Sequence, residues 1–232
     1  MEDFFAIYKK QIFLLGVLIA VILLLTVIQW IKGKGMQNKI VTNKDLVYDN
    51  LEQMSSVGEN KIPFINFKMD GITEINNEIV NLCLHEIVVE KRNVSYTYDT
   101  DNKTYLSVFI HSQGILTNGI PYEDFFFTYN FDLKKKKQIT EEELQSNYQI
   151  TEEEAEEIYE KQLYDWYQET IEEGFSDGYC DFSCYKDAHV KEDNASFVRK
   201  DGNLYMYKDF DRSAAMGDET FFEGKDLGVA LT

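Results

Sequence analysis

The chain has 232 residues, a formal net charge of −18, 44% hydrophobic residues and only two prolines, a composition that argues against disorder. The charge is divided unevenly: residues 1–44 contain six basic and two acidic residues, whereas residues 45–232 contain 17 basic and 39 acidic residues, a net of −22. A domain this acidic repels nucleic acid, so nucleic-acid binding is excluded, and it attracts cationic partners.

The first predicted element is a transmembrane helix over residues 12–31. This stretch carries no charge and only two polar side chains, Thr26 and Gln29. As a helix it would be about 30 Å long, which is the thickness of the hydrocarbon core of a bilayer. Lysines flank both ends and no Ala-x-Ala cleavage site follows, so an uncleaved anchor is favoured over a signal peptide. The expected organisation is a short cytoplasmic tail at 1–11, a stalk at 32–44 and one domain at 45–232.

Charge alone does not settle on which side of the membrane this domain lies. Two lysines precede the span closely and four follow it, which taken literally would place the domain in the cytosol. Long domains, however, translocate largely regardless of charge. Both orientations therefore stay open at this point.

The domain begins with patterns typical of a strand, a helix and a hairpin. Residues 61–67 alternate apolar and polar side chains, which predicts an opening strand. Apolar residues at three- and four-residue steps from Ile72 to Ile87 then predict a helix with Cys83 on its buried side. The period changes to two at residues 94–98 and 105–111, which predicts a hairpin, and an aromatic strand is predicted at 125–132.

Helix starts and a closing hairpin complete the predicted fold. Thr140–Glu143 and Thr151–Glu154 both have the spacing of a capping box, and the second helix is predicted to stop at Gly174. An Asp-Gly turn at 200–203 predicts the closing hairpin. Because the strands do not alternate strictly with helices, the expected fold is α+β, an antiparallel sheet with packed helices behind the transmembrane helix.

Motifs for known catalytic chemistry are absent from the sequence, including Gly-x-Ser-x-Gly, the Walker loop, the dinucleotide fingerprint and His-Glu-x-x-His. The glutamates at 152–157 are predicted to form a solvated helical face rather than a catalytic pair. Asp99-x-Asp101-x-Lys103 starts like a calcium loop but has a lysine where an oxygen ligand is required. We expect no catalytic residue, no cofactor and no metal.

The cysteines leave two alternatives open. Cys180 and Cys184 are close enough in sequence for a disulfide if the backbone bends or is helical between them. A location outside the cell favours this bridge, whereas the cytosol would leave two thiols. With His189 the pair has a loosely ligand-like spacing, but it does not match the common zinc signatures, so a disulfide or inert thiols are preferred.

The order of three segments resembles a known extracytoplasmic family. Residues 105–110 (YLSVFI), 129–144 (YNFDLKKKKQITEEEL) and 197–207 (FVRKDGNLYMY) are similar to segments of the domain found in lysozyme-sensing anti-sigma factors of the RsiV type. The same domain forms the N-terminal region of PdaC-type peptidoglycan deacetylases. The resemblance covers about residues 60–224 and implies an α+β domain outside a Gram-positive-type cell. It also implies binding of a ligand such as lysozyme, a cationic protein, rather than catalysis.

The chain departs from this family in two places. The family often has Gly-Gly-Ala-His before its aromatic strand, and residues 114–124 have a different sequence there. With the domain outside, the roughly eleven residues before the span would be too few to hold a sigma factor.

We therefore expect a membrane-anchored, sensor-like binding domain of the cell envelope without an anti-sigma segment. Its expected ligand is lysozyme, another cationic protein or an envelope glycan. The alternative is an accessory to a cell-wall-modifying enzyme that acts in trans. Ligand contacts are expected at Tyr122, Glu123 and Asp124, in the loop predicted before the aromatic strand.

Overall fold

A computed structural model describes residues 46–50, 58–100, 104–174, 181–213, 221–222 and 225–232. The predicted cytoplasmic tail, transmembrane helix and stalk lie outside these residues and stay predictions. Within the described part, none of the helices combines the length and the apolar character that a membrane span requires.

The described residues form an α+β domain with antiparallel strands, as predicted. In chain order the elements are β1 Val47–Asp49, β2 Pro63–Ile65, α1 Ile72–Leu84 with a π-helical turn His85–Val89, β3 Asn93–Thr100, β4 Tyr105–Ile115, β5 Pro121–Asp132, β6 Lys137–Ile139, α2 Glu141–Tyr148, α3 Glu152–Glu172, α4 Phe182–His189, β7 Val190–Lys200, β8 Asn203–Asp211 and β9 Val229–Ala230. Strands β3, β4, β5, β8 and β7 follow one another across the main sheet, while β6 pairs with β5 and β9 with β8. Strands β1 and β2 form a separate pair.

One face of the sheet packs against α1. Alternate residues of β4, among them Val108 and Ile110, share a buried cluster with Ile79 and Cys83 of that helix. The prediction that Cys83 belongs to the core is confirmed: its thiol is free and buried, and burial raises its pKa to about 12. The α1 helix is joined to β2 by Asn76, whose side chain bonds both the backbone N–H and the carbonyl of Ile65.

The β7–β8 hairpin continues the sheet from the start of β5, and helix α3 packs against this hairpin. Leu163 and Trp166 of α3 pack in one buried cluster with Phe210 of β8. The hairpin turns at Asp201 and Gly202, with φ values of 52° and 87°, so both central residues have the left-handed conformation that matches the twist of the strands. The predicted Asp-Gly hairpin is confirmed.

Both predicted capping boxes are present. The side chain of Thr140 accepts a hydrogen bond from the Glu143 amide, and that of Thr151 accepts one from the Glu154 amide, while each glutamate bonds back to the threonine N–H. Helix α3 ends at Glu172, and Gly174, two residues later, has a φ of 76°, the left-handed conformation typical of a glycine stop. Local signals in the sequence therefore define both helix starts and this helix end.

Candidate functional site

Tyr122, Glu123 and Asp124 lie within a strand rather than in the predicted loop. Strand β5 begins at Pro121, because Glu123 and Asp124 pair with β4 on one side and with β8 on the other. The predicted boundary at residue 125 is therefore wrong. Polar side chains indicated a loop, but here internal cations neutralise the carboxylates, so the chain can stay extended.

Asp124 is fully buried and contacts three polar side chains from other parts of the chain. Its carboxylate binds the guanidinium of Arg212, lies 2.6 Å from Nε2 of His111, and accepts a hydrogen bond from Nε2 of Gln113 at 3.0 Å. Burial alone would raise the pKa of Asp124, but the hydrogen bonds from His111 and Arg212 hold it below its ordinary value. Asp124 thus joins β4, β5 and the end of β8.

Glu123 joins a second set of ion pairs. It accepts a hydrogen bond from Nη2 of Arg92 at 3.0 Å, and Nζ of Lys191 lies 3.4 Å from its other oxygen. Arg92 also binds Glu86 at 2.9 Å and lies 4.0 Å from the centre of the Phe125 ring. These contacts fasten the end of the α1 region to β5 and β7. Ligand contact by Tyr122, Glu123 or Asp124 stays a prediction.

The cysteine prediction falls partly outside the described residues. Cys180 is not among them, so the bridge to Cys184, which lies in α4, stays a prediction. His189 at the end of α4 is fully buried, with Nδ1 2.5 Å from the carbonyl oxygen of Asp211 and its ring stacked on Phe210. It belongs to the core. Among the described residues, no group of three or more acidic, histidine or cysteine side chains could hold a metal ion.

An acidic cleft of about 630 Å³ lies where β5 and β7 meet the starts of α2 and α3. No basic side chain is among the described residues that line it. Aromatic residues of β5 and β7, including Phe127 and Phe197, form its apolar walls. We define the acidic cleft by its six carboxylates, which are Glu78, Glu141, Glu142, Glu152, Glu156 and Asp209.

The local sequence explains why carboxylates gather in this cleft. The capping boxes use Glu143 and Glu154, which do not line the cleft, but the helix dipole favours further acidic residues in the same first turns. Glu141 and Glu142 lie in the first turn of α2, and Glu152 lies in the first turn of α3. Because both helices begin beside β5, the signals that start the helices also concentrate negative charge at one place.

The carboxylates of the cleft divide into two groups. Some bond to the protein itself: Glu141 accepts hydrogen bonds from Oγ1 of Thr128 at 3.2 Å and from the Phe197 amide at 3.4 Å. Burial raises the pKa of Glu141 above its ordinary value. By contrast, Glu142 and Glu152 are exposed to solvent, as the prediction of a solvated glutamate face requires for Glu152. Ligand cations can reach these two directly.

A second site, which we call the sheet groove, consists of two adjoining hollows of about 350 and 360 Å³. The hollows share four lining residues: Phe109 and His111 of β4, Tyr207 of β8, and Asp226. Asp99 of β3 and Arg199 of β7 also line the first hollow, where they form an ion pair of 2.7 Å between those strands.

A close backbone approach fixes one wall of the sheet groove. The Tyr207 hydroxyl donates to Oδ1 of Asp226 at 3.1 Å. Its ring lies directly over Gly228, where an added Cβ would come within 2.2 Å of the ring carbon Cζ. Only a glycine leaves room for this ring.

Sequence reasoning missed both sites for the same reason. Each is lined by residues from elements far apart in the chain, such as Glu78 and Asp209 in the cleft or Thr97 and Asp226 in the groove. The available signals were the two adjacent capping boxes and the alternation of β4, which places Phe109 and His111 opposite the α1 face. Neither the protein-family models nor the curated proteins searched include a match to this chain.

Proposed function

We propose that this chain is a membrane-anchored recognition module on the outside of the cell, whose acidic cleft binds a cationic protein such as lysozyme without chemical turnover. The apolar stretch at residues 12–31 supports the anchor, and the resemblance to lysozyme-sensing domains supports the ligand class. The observation that carries the proposal is the acidic cleft, where six carboxylates and no basic side chain line one hollow of the described residues.

Electrostatics gives the reason why a cationic protein would be drawn to this cleft. Residues 45–232 carry 17 basic and 39 acidic residues, a net of −22. Such a field attracts a cationic protein from a distance and raises the association rate at low salt. One of the six carboxylates, Glu156, is already paired with Nζ of Lys208 at 2.8 Å, but no basic side chain is among the described residues that line the hollow itself. The apolar walls formed by residues such as Phe127 and Phe197 reduce the screening of any ion pair made there.

The contacts within the cleft suggest separate roles for its acids. Glu141 and Asp209 accept hydrogen bonds from backbone or hydroxyl groups of the domain, so they hold the walls together. Glu142 and Glu152 are exposed. We assign the direct contacts with lysine or arginine side chains of the ligand to Glu142 and Glu152.

The test is a binding measurement on the full-length chain in lipid nanodiscs, with hen egg-white lysozyme as the probe. The double variant Glu142→Gln/Glu152→Gln removes the exposed charges of the cleft. We expect it to bind lysozyme about fivefold more weakly than the parent at low ionic strength, because exposed ion pairs each contribute roughly 0.2–1 kcal/mol. The affinity of the parent should fall steeply when the Debye length is shortened with salt.

The matched control removes two exposed acids elsewhere on α3, in Asp165→Asn/Glu172→Gln. This variant has the same net charge as the cleft variant but leaves the cleft carboxylates in place. It should therefore keep most of the parent affinity. Equal losses in both variants would mean that overall charge, rather than the cleft, attracts lysozyme. If the parent bound no lysozyme at any salt concentration, the proposal would be wrong.

A further inference from the structure

The sheet groove has the chemistry of a sugar site, and we infer that it binds an uncharged oligosaccharide. This inference is independent of the proposed function, because the acidic cleft and the sheet groove have different walls and different charge. The two hollows adjoin through Phe109, His111 and Tyr207, so the groove is long enough for more than one ring of a chain. Hollows of this size are typical of sites for small ligands.

Aromatic side chains form the floor of the groove. The Phe109 ring lies 4.4 Å from the Tyr207 ring at an angle of 40°, and the Phe126 ring lies 5.0 Å from Tyr207 at 50°. Phe109 and His111 are only partly buried, so part of this floor is open to a ligand. Aromatic faces carry negative partial charge and attract C–H groups that stand over them. A sugar ring has such C–H groups on its faces.

The walls of the groove carry the polar groups that sugar hydroxyls need. Ser95, Thr97 and Asp99 of β3 line it, together with Asp226. A carboxylate accepts up to four hydrogen bonds. Asp99 accepts bonds from Arg199 and the Gly202 amide, and Asp226 accepts bonds from Tyr207, Lys200 and the Gly228 amide, so each keeps acceptor capacity for a ligand hydroxyl.

The charge balance of the groove favours an uncharged ligand. Described charged residues that line it comprise three acids and four bases, in contrast to the net of −22 over residues 45–232. The bases already have acidic partners: Arg199 binds Asp99, and Lys200 binds Asp226. A strongly charged ligand would have to displace one of these partners, whereas a neutral polyhydroxyl compound can bond to both members of a pair.

The shape of the floor favours a puckered ring over a flat one. A nucleobase stacks best on a flat aromatic surface, but the Tyr207 ring is inclined by 40° to Phe109 and by 50° to Phe126, so the three rings do not form one flat surface.

The experiment is saturation-transfer NMR on the full-length chain in lipid nanodiscs, since many detergents themselves carry sugar headgroups. The probes are chitotetraose, cellotetraose and maltotetraose, with adenosine and tetraglycine as comparison compounds and empty nanodiscs as the blank. On irradiation of the aromatic protons of the protein, we expect saturation to reach the ring C–H protons of at least one oligosaccharide. That pattern would identify stacking on the aromatic floor.

Two groove variants and a matched control complete the test. Asp226→Asn removes a carboxylate acceptor at an exposed position and should weaken oligosaccharide binding by about tenfold, the usual effect of losing a hydrogen bond to a charged group. Phe109→Leu should reduce saturation transfer to the C–H protons. Asp165→Asn, an exposed aspartate on α3, should change neither. Three results would overturn the inference. They are saturation transfer to none of the oligosaccharides, transfer only to adenosine or tetraglycine, and oligosaccharide binding that is unaltered in both groove variants.

Discussion

The guanidinium of Arg212 binds the carboxylate of Asp124 at the junction of β5 and β8, where neither side chain reaches solvent. The two residues are 88 positions apart. Arg212 also donates hydrogen bonds to the carbonyl oxygens of Phe222 and Lys225. One side chain therefore ties β8 both to the centre of the sheet and to the segment that leads into the sheet groove.

We predict that Arg212→Met destabilises the domain by about 3–5 kcal/mol, because it leaves the buried carboxylate of Asp124 without its guanidinium partner. Urea unfolding at neutral pH measures the change. The exposed ion pair of Lys186 with Glu160 is the control, and Lys186→Met should cost less than about 1 kcal/mol. Equal costs for the two variants would contradict the structural role of the buried pair.

Acid should weaken the contribution of Asp124 to stability. Its pKa is lowered in the folded state, so its stabilising effect is fully present above the unfolded value near 3.8 and is lost as the pH falls through the folded value. We predict that the difference in unfolding free energy between the parent and Asp124→Asn is largest at neutral pH and shrinks below about pH 3.8. Unfolding curves at a series of pH values test this. A difference that grows on acidification would be inconsistent with the lowered pKa.

Glu141 should behave in the opposite way. Burial raises its pKa above 4.5, so the folded state favours the protonated form and the charged form is destabilising at neutral pH. Glu141→Gln keeps an oxygen that can accept bonds from Thr128 and Phe197, and we predict that it stabilises the domain at pH 7 by about 0.5 kcal/mol. The gain should shrink as the pH falls towards 4.5, when the parent becomes protonated. A loss of stability at pH 7 would argue against this account.

The capping boxes give a prediction about local structure. Thr151→Ala removes the acceptor for the Glu154 amide and should destabilise the domain by about 1 kcal/mol. Thr151→Ser keeps a hydroxyl and should cost much less. Thermal unfolding followed by circular dichroism measures both. Identical midpoints for the alanine and serine variants would show that the box does not contribute.

Gly228→Ala should be destabilising because of a specific clash rather than because of backbone strain. The new Cβ would meet the far end of the Tyr207 ring, and such overpacking typically costs about 1–3 kcal/mol. Tyr207→Leu removes the atoms that clash. In the Tyr207→Leu background, Gly228→Ala should therefore cost much less unfolding free energy than it does in the parent. Strictly additive effects in the double-mutant cycle would exclude the clash.

Features with a strong local signal could be predicted from the sequence. The two capping boxes, the Gly174 stop and the Asp-Gly turn depend on residues within four positions of one another. The start of β5 could not be predicted in this way, because Asp124 is neutralised by Arg212, far along the chain. In the sequence, a buried carboxylate cannot be distinguished from a loop carboxylate until its cationic partner is known.

The two candidate sites were hidden for a related reason. The sequence predicted that the glutamates of α3 are solvated, which holds for Glu152. It did not predict that Glu78 and Asp209 line the same cleft. Likewise the alternation of β4 places Phe109 on the face opposite α1. The sequence does not show, however, that the β7–β8 hairpin brings Tyr207 into contact with Phe109. Sites formed between distant elements require the tertiary structure.

Labelled lysozyme added to intact protoplasts that express the full-length chain tests anchoring, orientation and binding in one measurement. We predict fluorescence at the surface of unpermeabilised protoplasts that decreases with added salt and with Glu142→Gln/Glu152→Gln, but not with Asp165→Asn/Glu172→Gln. Fluorescence no greater than that of protoplasts without the chain, or binding that emerges only after permeabilisation, would contradict an outward-facing acidic module held in the membrane.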